Sequence, residues 1–162
     1  MEGADLEEEL AYRRGLGAFA TGVVLVTTDG PGGPAGIVVN SFTSVSLAPR
    51  LVLWCLGDAS DRYEVFAAAE FWAVNVLAAD QQDISARFAR PGGFDAAGVA
   101  MDRLGACPAL PAALARLACR TVDRRVAGDH LMIVGAVEAF DAAVGDGLTY
   151  FRGRYGRAVT EG

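Results

Sequence analysis

The feature that most constrains the fold is a pair of long β patterns separated by a tight turn. Residues 115–126 and 131–140 both have the composition of extended strands, and Ala127-Gly128-Asp129 lies between them. A short turn of this kind between two such runs is typical of a β-hairpin. The sequence therefore predicts a long antiparallel hairpin in the C-terminal half of the chain.

Shorter strands are predicted on either side of this hairpin, at residues 23–28, 36–47, 51–56, 71–77 and 148–152. The first two are joined by a stretch rich in Gly and Pro, which makes residues 36–47 the expected hairpin partner of residues 23–28. The run 51–56 is continuously apolar, which is typical of a strand buried on both faces, and residues 71–77 alternate as a further strand.

Three helices are predicted, at residues 5–19, 60–70 and 80–90. Asp5 and Glu8 give the first of them a capping-box pattern, and this helix is expected to be amphipathic. Residues 94–111 are expected to be irregular. One α+β domain over residues 1–162 follows, built on an antiparallel β-barrel whose closure removes exposed strand edges.

Composition excludes several classes of partner. The formal net charge is −6, and the fourteen basic residues are all arginines scattered along the chain, so nucleic acid and anionic membranes are not expected as partners. No continuously apolar run approaches the ~20 residues needed to span a bilayer. The N-terminus is acidic and carries no export signal, so the expected location is the cytoplasm.

The cysteines and the single histidine argue against a metal site. Cys55, Cys107 and Cys119 are far apart and lie in apolar surroundings, which is typical of reduced thiols in a core. No C-x-x-C motif occurs and the chain has one histidine, so neither a structural zinc site nor a two-histidine metal centre is expected.

A glycine-rich segment superficially matches a dinucleotide-binding fingerprint. Residues 30–35 read G-x-G-x-x-A after a predicted strand. That fingerprint requires a helix that opens at the glycines, so that a pyrophosphate meets the helix N-terminus. Here two prolines lead into another strand, so the segment is interpreted as a surface hairpin turn.

The segment 40–46 is unusually polar for a strand, because five of its seven side chains are hydroxyls or an amide. Buried polar groups in a sheet require partners. In one interpretation the segment is a solvent-facing edge strand with Phe42 and Val45 turned inward. In the other, its hydroxyls and backbone amides present donors to a ligand with many acceptors, such as a flavin. The residues alone leave both interpretations open.

Two further side chains are candidates for ligand binding. Arg87 lies on the third predicted helix, and a fixed guanidinium suits phosphate oxygens, although arginines on surface helices are ordinary. His130 follows the hairpin turn, where an exposed histidine is also ordinary, and is the only side chain that ordinarily titrates near neutrality. No Ser-His-Asp or Cys-His set can be assembled, so demanding chemistry would have to come from a cofactor.

Six segments, in this order and spacing, resemble the flavin reductase-like family over nearly the whole chain. They are residues 19–23 (FATGV), 36–47 (GIVVNSFTSVSL), 71–77 (FWAVNVL), 85–89 (SARFA), 128–130 (GDH) and 150–155 (YFRGRY). The family includes the reductase components of two-component flavin-dependent monooxygenases. The resemblance implies an antiparallel split β-barrel of Greek-key type with flanking helices, a homodimer, and FMN or FAD as the flavin.

The resemblance also implies roles for individual residues. The isoalloxazine and ribityl chain would be lined by Val38, Val39, Asn40, Ser41, Phe42, Thr43 and Ser44, with Cys55, Leu56 and Gly57 near the ring. The phosphate end would be held by Ser60, Arg87 and Phe88, and the nicotinamide would be faced by His130, Arg152 and Tyr155. The chain departs from the family pattern at Ala48-Pro49-Arg50, where Asp-Pro-Pro is usual, and at Val39, where a smaller residue is common.

The implied activity is transfer of a hydride from NADH or NADPH to FMN or FAD, with the reduced flavin supplied to a partner monooxygenase. Catalysis would consist mainly of positioning the two rings, and His130 would act at the nicotinamide. Two alternatives are open. The protein could retain its flavin and act as an oxidase or tailoring enzyme on a bound organic substrate, or it could bind flavin without catalysis.

Overall fold

The computed structural model of the protein describes residues 2–161 and the side chains of residues 5–161. Met1 and Gly162, the two ends of the predicted domain, lie outside the described residues. The helices are α1 (Glu2–Gly17), α2 (Tyr63–Ala68) and α3 (Gln82–Ala89), the last preceded by a 3-10 turn, Ala79–Gln81. The strands are β1 (Thr21–Gly22), β2 (Val24–Gly30), β3 (Gly33–Val39), β4 (Thr43–Leu47), β5 (Arg50–Gly57), β6 (Phe71–Val76), β7 (Asp102–Leu104), β8 (Cys107–Ala109), β9 (Ala115–Ala127), β10 (His130–Ala142), β11 (Gly147–Phe151) and β12 (Arg154–Ala158).

The strands form one large antiparallel sheet and two small ones. The large sheet has the order β3-β2-β6-β9-β10-β5-β4, a second sheet has the order β1-β11-β12, and β7 pairs with β8. The predicted α+β class with an antiparallel sheet is therefore confirmed, as is the long hairpin, in which His130 lies opposite Ala127. No ladder joins the two edge strands β3 and β4 within residues 2–161, so the expected closure of the barrel is not found.

The opening between β3 and β4 arises because the strand predicted at residues 36–47 is two strands. The chain leaves the sheet at residues 40–42, and β4 pairs with β5 instead of β3. Ser41 supports this break, because its Oγ accepts a hydrogen bond from the Cys55 N–H at 3.0 Å and donates to the Cys55 carbonyl at 3.2 Å. The two edge strands are thus consecutive in the chain and separated in the sheet.

The main core is built around three aromatic rings. Trp54 contacts Phe66 and Trp72 edge to face, with ring centroids 5.7 Å and 6.0 Å apart, and all three side chains are fully buried. Trp72 lies against the backbone of β10 at Gly135, where an added Cβ would stand 2.8 Å from the ring atom Cη2. Because aromatic pairs of this kind bury large apolar areas, they contribute strongly to the stability of the core.

The prediction that the strand at residues 51–56 is buried on both faces is wrong. The strand β5 is not buried on both faces: Val52, Trp54 and Leu56 are buried, whereas the alternate residues Leu51 and Leu53 are half-exposed. Within a single chain, the described residues 5–161 leave the outer face of β5 uncovered, so only one face of this apolar run is buried by the fold itself.

The second helix is shorter than predicted. It begins at Tyr63, not Ser60, because the polar groups ahead of it have other partners. Ser60 Oγ accepts from the Arg62 N–H, and the Asp61 carboxylate binds the Arg62 guanidinium and the Gly92 N–H. The predicted first helix is confirmed as α1, but its leucines at 6, 10 and 16 are 46–57% exposed, so it does not pack as an amphipathic helix on the described chain.

The region 94–111 is not wholly irregular, because it contains the short hairpin β7–β8. Buried polar side chains attach this hairpin to the large sheet: Thr27 Oγ1 donates to the Pro108 carbonyl at 2.6 Å, and the Leu110 N–H donates to Asn75 Oδ1 at 2.7 Å. The strand β12 was also not predicted. No helix among residues 2–161 is both long enough and apolar enough to cross a membrane.

Candidate functional site

A cavity of about 210 Å³ lies beside the end of β3, where the large sheet is open. It is lined by Val23, Val38, Val39, Asn40, Ser85, Ala89, Tyr150 and Tyr155. These residues come from both larger sheets and from α3. The cavity therefore brings together three residues predicted for the flavin, Val38, Val39 and Asn40, and one predicted for the nicotinamide, Tyr155.

A strap of residues 94–96 covers the first half of the β3 edge. The Gly36 N–H donates to the Phe94 carbonyl at 2.8 Å, and the Ala96 N–H donates to the Pro34 carbonyl at 3.0 Å. The strap ends before Val38. Because an edge strand presents unpaired N–H and C=O groups, the backbone from Val38 onward offers donors and acceptors to a ligand in the opening.

The polar segment 40–46 combines features of both interpretations drawn from the sequence. Thr43 and Ser44 are exposed on the edge strand β4, and Phe42 packs against the main core, as expected for a solvent-facing strand. Val45 is 50% exposed and does not turn inward, which corrects that part of the prediction. Ser41 is committed to the backbone of Cys55, so its hydroxyl serves to hold the opening in shape.

His130 lies at the far end of β5, opposite Gly57. Its side chain is 47% exposed, and its Nδ1 is 2.7 Å from Asp129 Oδ1. The absence of a side chain at Gly57 leaves room beside the ring, since a Cβ there would stand 3.6 Å from His130 Nε2. Cys55 is half-exposed, but the side chain of Leu56 is fully buried in the core, so only its backbone can face a ligand.

The contact between His130 and Asp129 determines which nitrogen of the imidazole carries the proton. The hydrogen bond with His130, followed by the charge of the imidazole when protonated, holds the pKa of Asp129 below its ordinary value. An ionised carboxylate only accepts hydrogen bonds, so Nδ1 carries the proton that joins the two side chains. In the neutral ring, Nε2 then keeps its lone pair and accepts hydrogen bonds.

The predicted phosphate-binding residues, which lie on α3 and ahead of α2, have structural partners. Phe88 is fully buried and fills the space above Gly36, where a Cβ would stand 2.7 Å from its ring, so its side chain packs α3 against β3. Arg87 is half-buried and donates to the carbonyls of Asp95 at 3.3 Å and of Ala97. Ser60 accepts from the Arg62 N–H at 3.2 Å. Phosphate binding by Arg87, Phe88 and Ser60 stays a prediction.

The C-terminal hairpin β11–β12 closes one side of the cavity. Arg152 lies in its turn with φ of +49°, donates its N–H to the Gly17 carbonyl at 2.9 Å, and stacks its guanidinium over Phe151. The hydroxyls of Tyr155 and Ser85 are hydrogen-bonded at 2.8 Å. Arg152 is therefore exposed at the turn, whereas Tyr155 faces the cavity.

The family model described as a flavin reductase like domain matches residues 16–158. The chain belongs to the flavin reductase-like domain family. Among curated relatives of this family member, the FMN reductase (NADH) SmoA of Agrobacterium fabrum is 45% identical over 152 residues, which cover 93% of this chain and 87% of that protein. The reductase component of 4-nitrophenol 4-monooxygenase/4-nitrocatechol 2-monooxygenase of Rhodococcus opacus is 35% identical over 152 residues. That alignment covers 94% of this chain and 82% of that protein.

Solved structures of other family members have the same fold. The NADH:FAD oxidoreductase SgcE6 of Streptomyces globisporus, in complex with NAD and FAD fragments, superposes with a TM-score of 0.85 at 33% identity. The alignment covers 94% of this flavin reductase-like chain and 94% of that one. The fold described above is therefore the fold of the family.

The residues at the opening fit a flavin in chemical type. Half-buried Val38 and Val39 offer apolar surface to a ring, and the edge of β3 beyond the strap offers backbone donors and acceptors. A flavin ring has an apolar face and a polar edge, so it needs both kinds of surface together.

Four residues of the cavity were not predicted as site residues: Val23, Ser85, Ala89 and Tyr150. Each lies within a segment that carries the family resemblance. That position is the only signal the sequence gives, because their contacts depend on how α3 and the C-terminal hairpin pack together.

Proposed function

We propose that this protein is an NAD(P)H-dependent flavin reductase that acts on FMN or FAD in the cytoplasm and supplies reduced flavin to a partner monooxygenase. The observation that carries the proposal is the family match over residues 16–158, which spans the open edge of β3 and its cavity. The names of two relatives, an NADH-dependent FMN reductase and a monooxygenase reductase component, support both halves of the proposal.

A bound flavin would supply the chemistry that the side chains lack, since its N5 would accept the hydride, which carries both electrons, from C4 of the nicotinamide. The protein contributes position. The edge of β3 and the segment 40–44 hold the ring, and backbone N–H groups there favour the negative charge of the reduced product. Holding the two reacting atoms at ~3–3.5 Å supplies much of the rate acceleration.

Flavin-dependent oxidation of NADH tests the proposal. The purified protein should remove the nicotinamide absorbance when FMN is added and leave it unchanged without flavin. A protein that stays yellow after gel filtration and does not oxidise NADH would instead favour the flavin-retaining oxidase or tailoring enzyme. Flavin binding without reaction toward any reductant would favour a binding module.

Replacing His130 by Ala is expected to raise KM for NADH about fivefold to tenfold. The lone pair of Nε2 would accept a hydrogen bond from the nicotinamide amide, and such a bond is worth ~1 kcal/mol net. If the bond is equally strong in the ground and transition states, kcat stays near its original value. Steady-state kinetics with NADH measures both constants.

The affinity for FMN serves as the internal control for this variant, because the imidazole is assigned to the nicotinamide and not to the flavin. A variant that binds FMN poorly but keeps its KM for NADH would show that His130 belongs to the flavin site or to folding.

A homodimer is part of the proposal and is supported by an apolar outer face on β5 and β10. Three cross-strand pairs on this face are half-exposed and carry no charge: Leu51 with Ala136, Leu53 with Val134, and Cys55 with Met132. A contiguous apolar sheet face of this kind marks an interaction surface. A second copy is its simplest occupant, because a two-fold axis pairs the same patch with itself.

Leu53→Glu is expected to convert the dimer to a monomer at micromolar concentration. The introduced carboxylate would be desolvated at the centre of the interface, while in a single protomer it stays at the half-exposed surface. Sedimentation velocity distinguishes the two states. Val144→Glu is the matched control, because Val144 is already fully exposed. A wild-type protein that sediments as a monomer would contradict the proposal.

A further inference from the structure

The cavity beside β3 is too small for a whole flavin or dinucleotide. Its volume of about 210 Å³ is below the roughly 300–1,000 Å³ of sites that bury complete ligands. It therefore receives one part of a ligand whose remainder lies in the opening of the sheet. None of the residues that line it is charged, so that part is not a phosphate.

Most of the cavity wall is apolar, and its polar groups are few. Ser85 is fully buried on α3, and its hydroxyl pairs with that of Tyr155 at 2.8 Å. The amide of Asn40 lies at the end of β3. The ring of Tyr155 is held from the side by Tyr150, with ring centroids 5.5 Å apart, so the hydroxyl pair has a fixed position.

Two paired hydroxyls keep hydrogen-bonding capacity after they have bonded to each other. One of the two O–H groups is used in the pair, and the other still donates, while lone pairs on both oxygens still accept. A group that both donates and accepts matches another hydroxyl. Apolar walls with one such pair suit a short carbon chain that carries hydroxyls.

We propose that the Ser85–Tyr155 hydroxyl pair is a specificity-determining group that binds the sugar-derived hydroxyls of a ligand. Either the ribityl chain of the flavin or the ribose next to the nicotinamide carries this chemistry. The inference rests on the proposed function, because it assumes that one of these two ligands occupies the opening of the sheet.

Binding of riboflavin and lumiflavin to wild type and Tyr155→Phe tests the flavin source. The two ligands share the ring system, but lumiflavin has a methyl group in place of the ribityl chain. In isothermal titration, the wild type should bind riboflavin more tightly than lumiflavin. Tyr155→Phe should reduce this ratio of affinities about fivefold, since the variant loses one hydrogen bond to the ribityl chain. Lumiflavin binding should not change. Ser85→Ala should have the same effect.

Turnover with NADH and with 1-benzyl-1,4-dihydronicotinamide, which has no ribose, tests the nicotinamide source. If the ribose is bound, both variants raise KM for NADH about fivefold and leave that for the benzyl compound unchanged. Tyr12→Phe is the matched control, because this tyrosine is 67% exposed on α1 and loses the same hydroxyl.

The assignment is overturned if the variants leave both preferences intact, or if they weaken ligands with and without hydroxyls equally, as a purely structural tie would. A wild type that binds neither flavin and does not oxidise NADH would instead remove the proposed function. Thermal melts of both variants verify that the fold is retained, since Tyr155→Phe keeps the ring.

Discussion

Gly135→Ala is expected to lower the free energy of unfolding by about 3 kcal/mol, near the upper end of the usual cost of overpacking a core. The added Cβ would stand 2.8 Å from Cη2 of Trp72 and 2.9 Å from the Cβ of Cys119. Neither neighbour can move away easily. Trp72 is fully buried, and its Nε1–H donates to Thr121 Oγ1 at 2.9 Å.

Differential scanning calorimetry should show this variant melting roughly 6–12 °C below the wild type, at about 2–4 °C per kcal/mol for a domain of this size. Gly22→Ala is the matched control, because Gly22 lies in a strand and a Cβ there meets no atom within 4 Å. A Gly135→Ala variant with the same melting temperature as the wild type would show that the indole of Trp72 does not lie against β10.

Asn75→Ala is expected to destabilise the fold by about 3–5 kcal/mol, because the buried Leu25 carbonyl and Leu110 N–H each lose a partner at ~1–3 kcal/mol, and Thr27 Oγ1 loses one of its hydrogen bonds. The fully buried Asn75 amide donates to the Leu25 carbonyl at 2.8 Å and to Thr27 Oγ1 at 3.0 Å, and it accepts from the Leu110 N–H at 2.7 Å. The side chain thus links β2, β6 and the segment after β8.

Chemical denaturation with urea measures this loss, and Asn75→Asp separates the lost bonds from the lost volume. The introduced carboxyl is similar in size, but burial raises its pKa in the folded state above that in the unfolded state. The loss in free energy of unfolding that this carboxyl adds is therefore small at about pH 4, near its unfolded-state pKa. The loss grows as the pH rises from there through the folded-state pKa. Equal stability of wild type and Asn75→Ala would contradict the assigned hydrogen bonds.

Elements formed by local contacts were predictable from the sequence, and those formed by distant contacts were not. The β9–β10 hairpin is specified by two runs and the turn between them, and its prediction is confirmed. The break at residues 40–42 depends on β4 pairing with β5, which is not visible in an apolar and polar pattern alone. The short hairpin β7–β8 is held in place by Asn75 and Thr27, which lie far away in the sequence.

The same distinction applies to the candidate site. The polar segment, Arg87 and His130 stood out by residue type, and family resemblance assigned their ligands. The burial of Phe88 depends on α3 packing against Gly36, and the pairing of Ser85 with Tyr155 joins residues that are 70 positions apart. A sequence pattern indicates which residues carry chemistry, but packing decides which of them reach the cavity.

Anaerobic titration of FMN with NADH in the presence of the protein tests the proposed hydride transfer most directly. Exclusion of oxygen prevents reoxidation, so each NADH consumed should bleach one FMN, with equal amounts lost at the nicotinamide and flavin absorbance bands. A catalytic amount of protein should suffice if reduced flavin leaves the site. Loss of NADH without bleaching of flavin, or no reaction faster than that without protein, would contradict the account.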